Sequence, residues 1–89
     1  MSSIHSYPLP VDNGWFTLSL PAGTTLLHVG IGQGRPTLWV LAGTGPLEKM
    51  RFYNAYTGVS GVFLEKMKYL GTVANSWNLV FHYFQMEEK

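Results

Sequence analysis

The sequence predicts an all-β fold: about seven short antiparallel strands in a small sandwich or barrel. Three observations predict it. Apolar residues recur with a period of two along most of the chain. Turn signals built on Gly, Pro and Asn interrupt that alternation at roughly 8–12-residue intervals. Only one stretch, Val62 to Lys68 (VFLEKMK), has helical character, and it is too short to hold a helix by itself.

Each element follows from its own residues. Ile4 to Leu9 is extended, and Pro8 confines it to a sheet edge or a strand end. Asp12-Asn13-Gly14 is a turn, since Asn and Gly accept positive φ at little cost. Trp15 to Leu20 alternates strictly, with Phe16, Leu18 and Leu20 on one face and Trp15, Thr17 and Ser19 on the other. Pro21-Ala22-Gly23 turns the chain. Thr25 to Ile31 follows as a third strand, with Leu27, Val29 and Ile31 on a common face. Gln33-Gly34 makes a hairpin bend. Pro36 to Ala42 is apolar on both faces, so it belongs at the centre of a sheet or in an interface.

Gly43 to Pro46 is a loop, and Leu47 to Tyr56 is the longest strand. Met50, Phe52, Asn54 and Tyr56 share one of its faces, and Arg51, Tyr53 and Ala55 the other. A glycine-bearing loop and a single helical turn lead to Tyr69–Val73. A turn over Ala74–Asn78 precedes the last strand, Leu79–Gln85.

The chain of 89 residues reads as one domain. Hydrophobic residues make up 46% and charged residues only 12%, against about 25% charged in an ordinary soluble domain. So small a domain buries a limited share of its surface. The apolar excess therefore predicts a homo-oligomer that hides a second apolar face. There is no cysteine, so no disulfide compensates. A net charge of +1 argues against non-specific nucleic-acid binding. No apolar run reaches the roughly 18 residues that a membrane-spanning helix needs.

Catalytic chemistry has little to stand on. The histidines, His5, His28 and His82, fall in separate strands without metal-type spacing. A carboxylate pair would need Glu48 and Glu65, which nothing brings together. We therefore expect no catalytic residues, no metal and no cofactor. The stretch His28-Val29-Gly30-Ile31-Gly32-Gln33-Gly34-Arg35 tests a different idea, a glycine-rich phosphate loop. Such loops open a helix, whereas this one is followed by Pro36 and the strand Thr37–Val40. A hairpin accounts for its glycines. Arg35 remains, with Trp39 and His28 nearby, as an anion grip that needs no P-loop. A second candidate group mixes aromatic and polar side chains: Arg51, Tyr53, Asn54, Tyr56 and Thr57, with Trp77 in the turn Asn75–Asn78. An aromatic platform, an arginine and amide or hydroxyl edges are what a nucleotide requires.

The order of motifs resembles a family of small uncharacterised proteins encoded by bacteriophages and prophages. The motifs are Tyr7-Pro8-Leu9, Leu20-Pro21-Ala22-Gly23, Leu27-His28-Val29, Pro36-Thr37-Leu38-Trp39, Thr57-Gly58, Tyr69-Leu70-Gly71-Thr72 and Leu79-Val80-Phe81-His82-Tyr83-Phe84. The resemblance spans nearly the whole chain. Val59 replaces a histidine usual after Thr-Gly, and Gly43-Thr44-Gly45 replaces residues that are usually acidic. The resemblance implies a phage accessory protein in the cytoplasm of an infected bacterium, with no catalytic residues to carry over. It further implies an anti-defence role: trapping a nucleotide immune signal, a cyclic ADP-ribose isomer or a cyclic oligonucleotide, at a subunit interface. The alternatives are an inhibitor that binds a host defence protein directly, a phage structural or assembly component, or an enzyme that degrades the signal.

Overall fold

The alternation of Trp15–Leu20 appears in space as written. Phe16, Leu18 and Leu20 turn inward and Trp15, Thr17 and Ser19 face outward. The same logic applied along the chain gives two sheets. The structure, a computed structural model, describes residues 3–74 and 78–86. Its strands are β1 (Ile4–Pro8), β2 (Gly14–Pro21), β3 (Thr25–Gly32), β4 (Arg35–Leu41), β5 (Leu47–Tyr56), β6 (Lys68–Ala74) and β7 (Val80–Gln85). All pair antiparallel, in a three-stranded sheet ordered β1-β4-β3 and a four-stranded sheet ordered β2-β5-β7-β6. The Cα envelope measures 40 × 33 × 16 Å, its short dimension that of two stacked sheets. Of the two predicted architectures, the sandwich is the one adopted.

The core joins the layers. Leu9, Val29, Leu38 and Val40 come from the first sheet and its flank, and Val73, Phe81 and Tyr83 from the second. β4 is central and buried on both faces over Pro36–Leu38, as its unbroken apolar run requires. β1 is an edge strand that ends at Pro8. The hairpin between β3 and β4 turns on Gln33 (φ 52°) and Gly34 (φ 79°), two successive left-handed residues, which matches the right-handed twist of the strands. The helical stretch is a 3-10 turn over Val62–Lys66.

β3 departs from the sequence expectation. A bulge between Leu26 and His28 breaks its period. Leu26 and Val29 turn to the core, while Leu27 and Ile31 are exposed, so Leu27, Val29 and Ile31 do not share a face. A matching bulge lies in β6 between Tyr69 and Gly71. The two bulged strands meet there: a Cβ on Gly71 would lie 3.1 Å from the Val29 Cβ. One extra residue per strand bends each of them, which lets the edges of the two sheets approach.

Three side chains of the four-stranded sheet hold the crossing from β1 to β2. Tyr83 donates its hydroxyl to the Pro10 carbonyl (2.7 Å) and Tyr56 to that of Val11 (2.5 Å). The Asn54 amide donates to Asp12 (3.0 Å) and Pro10 (3.4 Å). Burial pushes the Tyr83 phenol far above its usual range, and the neighbouring Tyr56 adds to the shift.

Candidate functional site

The predicted site residues divide into three places. His28, Arg35 and Trp39 come together on the outer face of the three-stranded sheet. Arg51, Tyr53 and Thr57 belong to the outer face of the other sheet. Asn54 and Tyr56 point inward. Trp77 lies outside the described residues.

The first group is built by register. Trp39 is flanked by Ser6 on β1 and His28 on β3, Thr37 by Pro8 and Gly30, and Arg35 by Gly32. All of these share the outer face. Gly30 and Gly32 leave a track with no side chains, and the six-membered ring of Trp39 lies across it. A Cβ on Gly32 would sit 2.9 Å from Trp39 Cζ2 and 3.0 Å from Cη2; one on Gly30 would sit 2.7 Å from His28 Nε2, with Trp39 Cζ3 at an ordinary 3.6 Å. Gly32 thus makes room for the indole and Gly30 for the His28 ring. His28 stacks against the indole with centroids 5.9 Å apart and planes 28° from parallel. Thr37 donates its hydroxyl to the Arg35 carbonyl (3.0 Å) and pins the strand where the arginine leaves it. A cavity of about 270 Å³ opens beside Trp39, lined by Ser6, Pro8, Gly32, Arg35 and Thr37. An open aromatic plane beside an exposed guanidinium suits a planar, anionic ligand.

The second group is more covered than its alternation suggests. The 3-10 turn places Phe63 against Trp15 and Tyr53. Tyr53 packs edge-on to Trp15 at 5.0 Å and to Phe63 at 5.2 Å, and is only 8% exposed. Arg51 lies 4.5 Å over the Trp15 ring. Thr57 belongs to a polar chain: its Oγ1 is 2.8 Å from His82 Nε2, and His82 Nδ1 is 3.0 Å from Thr72 Oγ1, which also bonds the Tyr69 hydroxyl. The hydroxyls of Thr57 and Thr72 lie at the two ring nitrogens of His82, and among the described residues no carboxylate bonds the ring. Among the described residues no three metal-ligating side chains cluster.

Asn54 serves the fold, and Tyr56 contributes to it. Asn54 is fully buried and spends its amide on the β1–β2 crossing, out of reach of any ligand. Tyr56 packs on the core and bonds the same segment. The buried position of Asn54 on the inward face of β5 decides its role, whereas half-buried Tyr56 also lines, with Thr57, a cavity of about 380 Å³.

Sequence reasoning missed a cavity of about 620 Å³ lined by Glu48, Lys49, Met50, Arg51, Lys68, Gln85 and Met86. Only the alternate placement of Lys49 and Arg51 on β5 hinted at it. Lys68 and Gln85 reach it through strand pairing, which periodicity does not reveal.

A family model described as "Domain of unknown function (DUF7352)" matches residues 1–89. The chain belongs to this family. No curated protein and no solved structure matches it. The DUF7352 match covers both sheets and these cavities, so the sandwich and its exposed faces together form the family's domain. No helix among the described residues is long and apolar enough to cross a membrane.

Proposed function

We propose that this protein is a non-catalytic binding module that sequesters a small anionic nucleotide on the outer face of its three-stranded sheet. One observation carries the reading: the Trp39 indole reaches over Gly32 with His28 stacked against it, and the exposed Arg35 lines the same cavity as Trp39. Trp39 offers a plane on which a base stacks, worth roughly 1–3 kcal/mol. Arg35 offers a bidentate partner for a phosphate.

The cavity of about 270 Å³ is smaller than the 300–1,000 Å³ of ordinary ligand pockets. One chain therefore supplies part of the site, and a second copy completes it. This agrees with the apolar excess that called for a homo-oligomer. The resemblance to phage-encoded proteins supplies the setting: a phage accessory protein in the cytoplasm of the infected host, withholding a cyclic ADP-ribose isomer or a cyclic oligonucleotide from a defence system.

The test is calorimetric titration with a panel of these nucleotides, paired with native mass spectrometry. We expect saturable binding to an oligomer, a ligand recovered unchanged after denaturation, and binding lost in Arg35→Ala with the fold intact. Undiminished affinity in Arg35→Ala refutes the site, and a cleaved ligand refutes sequestration. A second reading, direct inhibition of a host defence protein, is favoured by Ile4, which is 67% exposed beside Leu41 on the same face. It predicts a stoichiometric host partner, lost in Ile4→Asp, and no nucleotide heat.

A further inference from the structure

Four strands end their sheets: β1 and β3 in one, β2 and β6 in the other. An edge strand offers unpaired N–H and C=O groups to other strands. Natural sheets blunt such an edge with shortness, proline, charge or a bulge. Three of the four edges carry such a device. β1 has only five residues and ends at Pro8. β3 is bulged between Leu26 and His28. β6 opens on Lys68 and is bulged between Tyr69 and Gly71. β2 is different. It is eight residues long and holds no charged side chain. Its register with β5 is unbroken from Gly14↔Asn54 to Pro21↔Leu47, and its one proline is the last residue.

The bonds of β2 show which of its groups face outward. Ala22 donates its N–H to the Pro46 carbonyl and accepts from Gly45, so alternate positions back from it turn their backbone to β5. On β5 the Arg51 carbonyl points the other way, accepting from Met86. Trp15, Thr17 and Ser19, opposite Tyr53, Arg51 and Lys49, therefore aim their N–H and C=O groups away from the sheet. Among the described residues no strand takes them. The side chains are open too. Thr17 and Ser19 are exposed on the outer face. On the inner face Phe16 and Leu18 are only half-buried, although Phe52, stacked on Phe16 at 5.4 Å, is fully buried.

We infer that β2 pairs with β2 of a second copy of this chain, antiparallel about a two-fold axis at Thr17, joining two four-stranded sheets into one. The strand complements itself in this register. Thr17 meets the partner's Thr17, Trp15 meets the partner's Ser19, and Phe16 meets the partner's Leu18. Each of Trp15, Thr17 and Ser19 then exchanges backbone bonds across the seam, and no proline falls among them. Phe16 and the partner's Leu18 form a non-hydrogen-bonded pair, in which side chains lie closest, so each covers apolar surface that the protomer leaves half-open. A self-complementary patch that closes on a two-fold axis is the commonest form of homodimer. The seam lies in the other sheet from Trp39, and its test does not depend on what that face binds.

The experiment is native mass spectrometry of the full chain across concentration, with single cysteines as rulers, since the chain has none of its own. We expect a dimer. The two Thr17 Cα atoms lie about 5.5 Å apart in this register, within disulfide reach. The two Ser19 Cα atoms lie about 14 Å apart along the seam. Mild oxidation therefore cross-links Thr17→Cys nearly completely and Ser19→Cys hardly at all. Thr17→Pro removes an N–H that faces the free edge. It keeps the circular dichroism of the folded chain and raises the dimer dissociation constant about a hundredfold. The cysteine pair reads the seam without relying on the proline variant's fold. A monomer at every concentration overturns the proposal and leaves the edge to a strand of another protein. Equal cross-linking of Thr17→Cys and Ser19→Cys overturns it, as does cross-linking through Ser6→Cys on β1 instead. A folded Thr17→Pro that dimerises undiminished overturns it as well.

Discussion

Replacing Gly32 with alanine tests the central piece of the Trp39 face. Gly32 has no left-handed backbone to protect, so the added methyl meets only its neighbours. It would sit 2.9 Å from Trp39 Cζ2, 3.0 Å from Cη2 and 3.0 Å from the Thr37 hydroxyl oxygen. Comfortable carbon–carbon contact begins at about 3.5 Å. The indole must therefore shift by roughly half an ångström or more, and it can do so because Trp39 is only half-buried. Overpacking costs about 1–3 kcal/mol in a closed core, and a ring free to move outward stays near the lower end, about 1–1.5 kcal/mol. For a domain of this size that lowers Tm by roughly 4–10 °C. The assay is thermal unfolding by circular dichroism of Gly32→Ala, Trp39→Ala and the double variant. If the indole rests on Gly32, most of the alanine penalty vanishes once Trp39 is gone, a coupling of about 1 kcal/mol. The same penalty with and without Trp39 refutes the glycine-track account. Ligand affinity supplies a second readout, since a tilted platform stacks a base poorly.

Three further outcomes follow from contacts elsewhere. Asn54→Ala removes both amide bonds to the β1–β2 crossing and leaves a cavity, so chemical denaturation should give a loss of about 2–3 kcal/mol. Gly43→Ala drives a methyl into the Ala22 carbonyl oxygen and to 2.6 Å from the Gly23 carbonyl carbon and the Thr24 nitrogen. Since all are backbone, a loss above about 3 kcal/mol is expected in the same assay. Tyr83 keeps its proton in the folded state well beyond the pH at which an unfolded tyrosine, near 10, releases it. The unfolded chain then binds fewer protons than the folded one, so stability is full below about pH 10 and falls above it, by up to about 1.4 kcal/mol per pH unit. Tyr83→Phe should flatten that alkaline slope while lowering stability at neutral pH through the lost bond to Pro10.

How much of this the sequence disclosed depends on whether the cause is local. The alternation of Phe16, Leu18 and Leu20 is enforced by the pleat, and it reads directly as an inward face. Gln33-Gly34 names its own turn. Pro36–Ala42, apolar on both sides, announces a central strand. The bulge at Leu27 leaves no such mark, because an inserted residue looks like any other until the partner strand shows the slip. His28, Arg35 and Trp39 were legible as neighbours because one hairpin carries all three. The role of Gly32 was not, since it depends on an indole reaching across from β4. Asn54 misled for a related reason: an amide among aromatics looks like recognition, and only the course of residues 9–13 over it reveals a clamp. The cavity lined by Lys49, Arg51 and Gln85 depends on how β5 and β7 pair, a relation between segments about thirty residues apart.

β7 is the last of the described strands along the chain, yet it lies inside its sheet, between β5 and β6. A ribosome making the protein from its N-terminus therefore delivers two strands that have nothing to join them. Until Val80–Gln85 emerges, β5 and β6 each expose an unpaired edge, the kind of surface that recruits stray strands. Assembly of this half of the molecule has to wait until Val80–Gln85 has been made. A premature stop shortly before Val80 would not trim a fringe. It would remove the spine of the sheet, with Phe81 and Tyr83 from the core, and leave a product open to proteolysis rather than a shorter working protein.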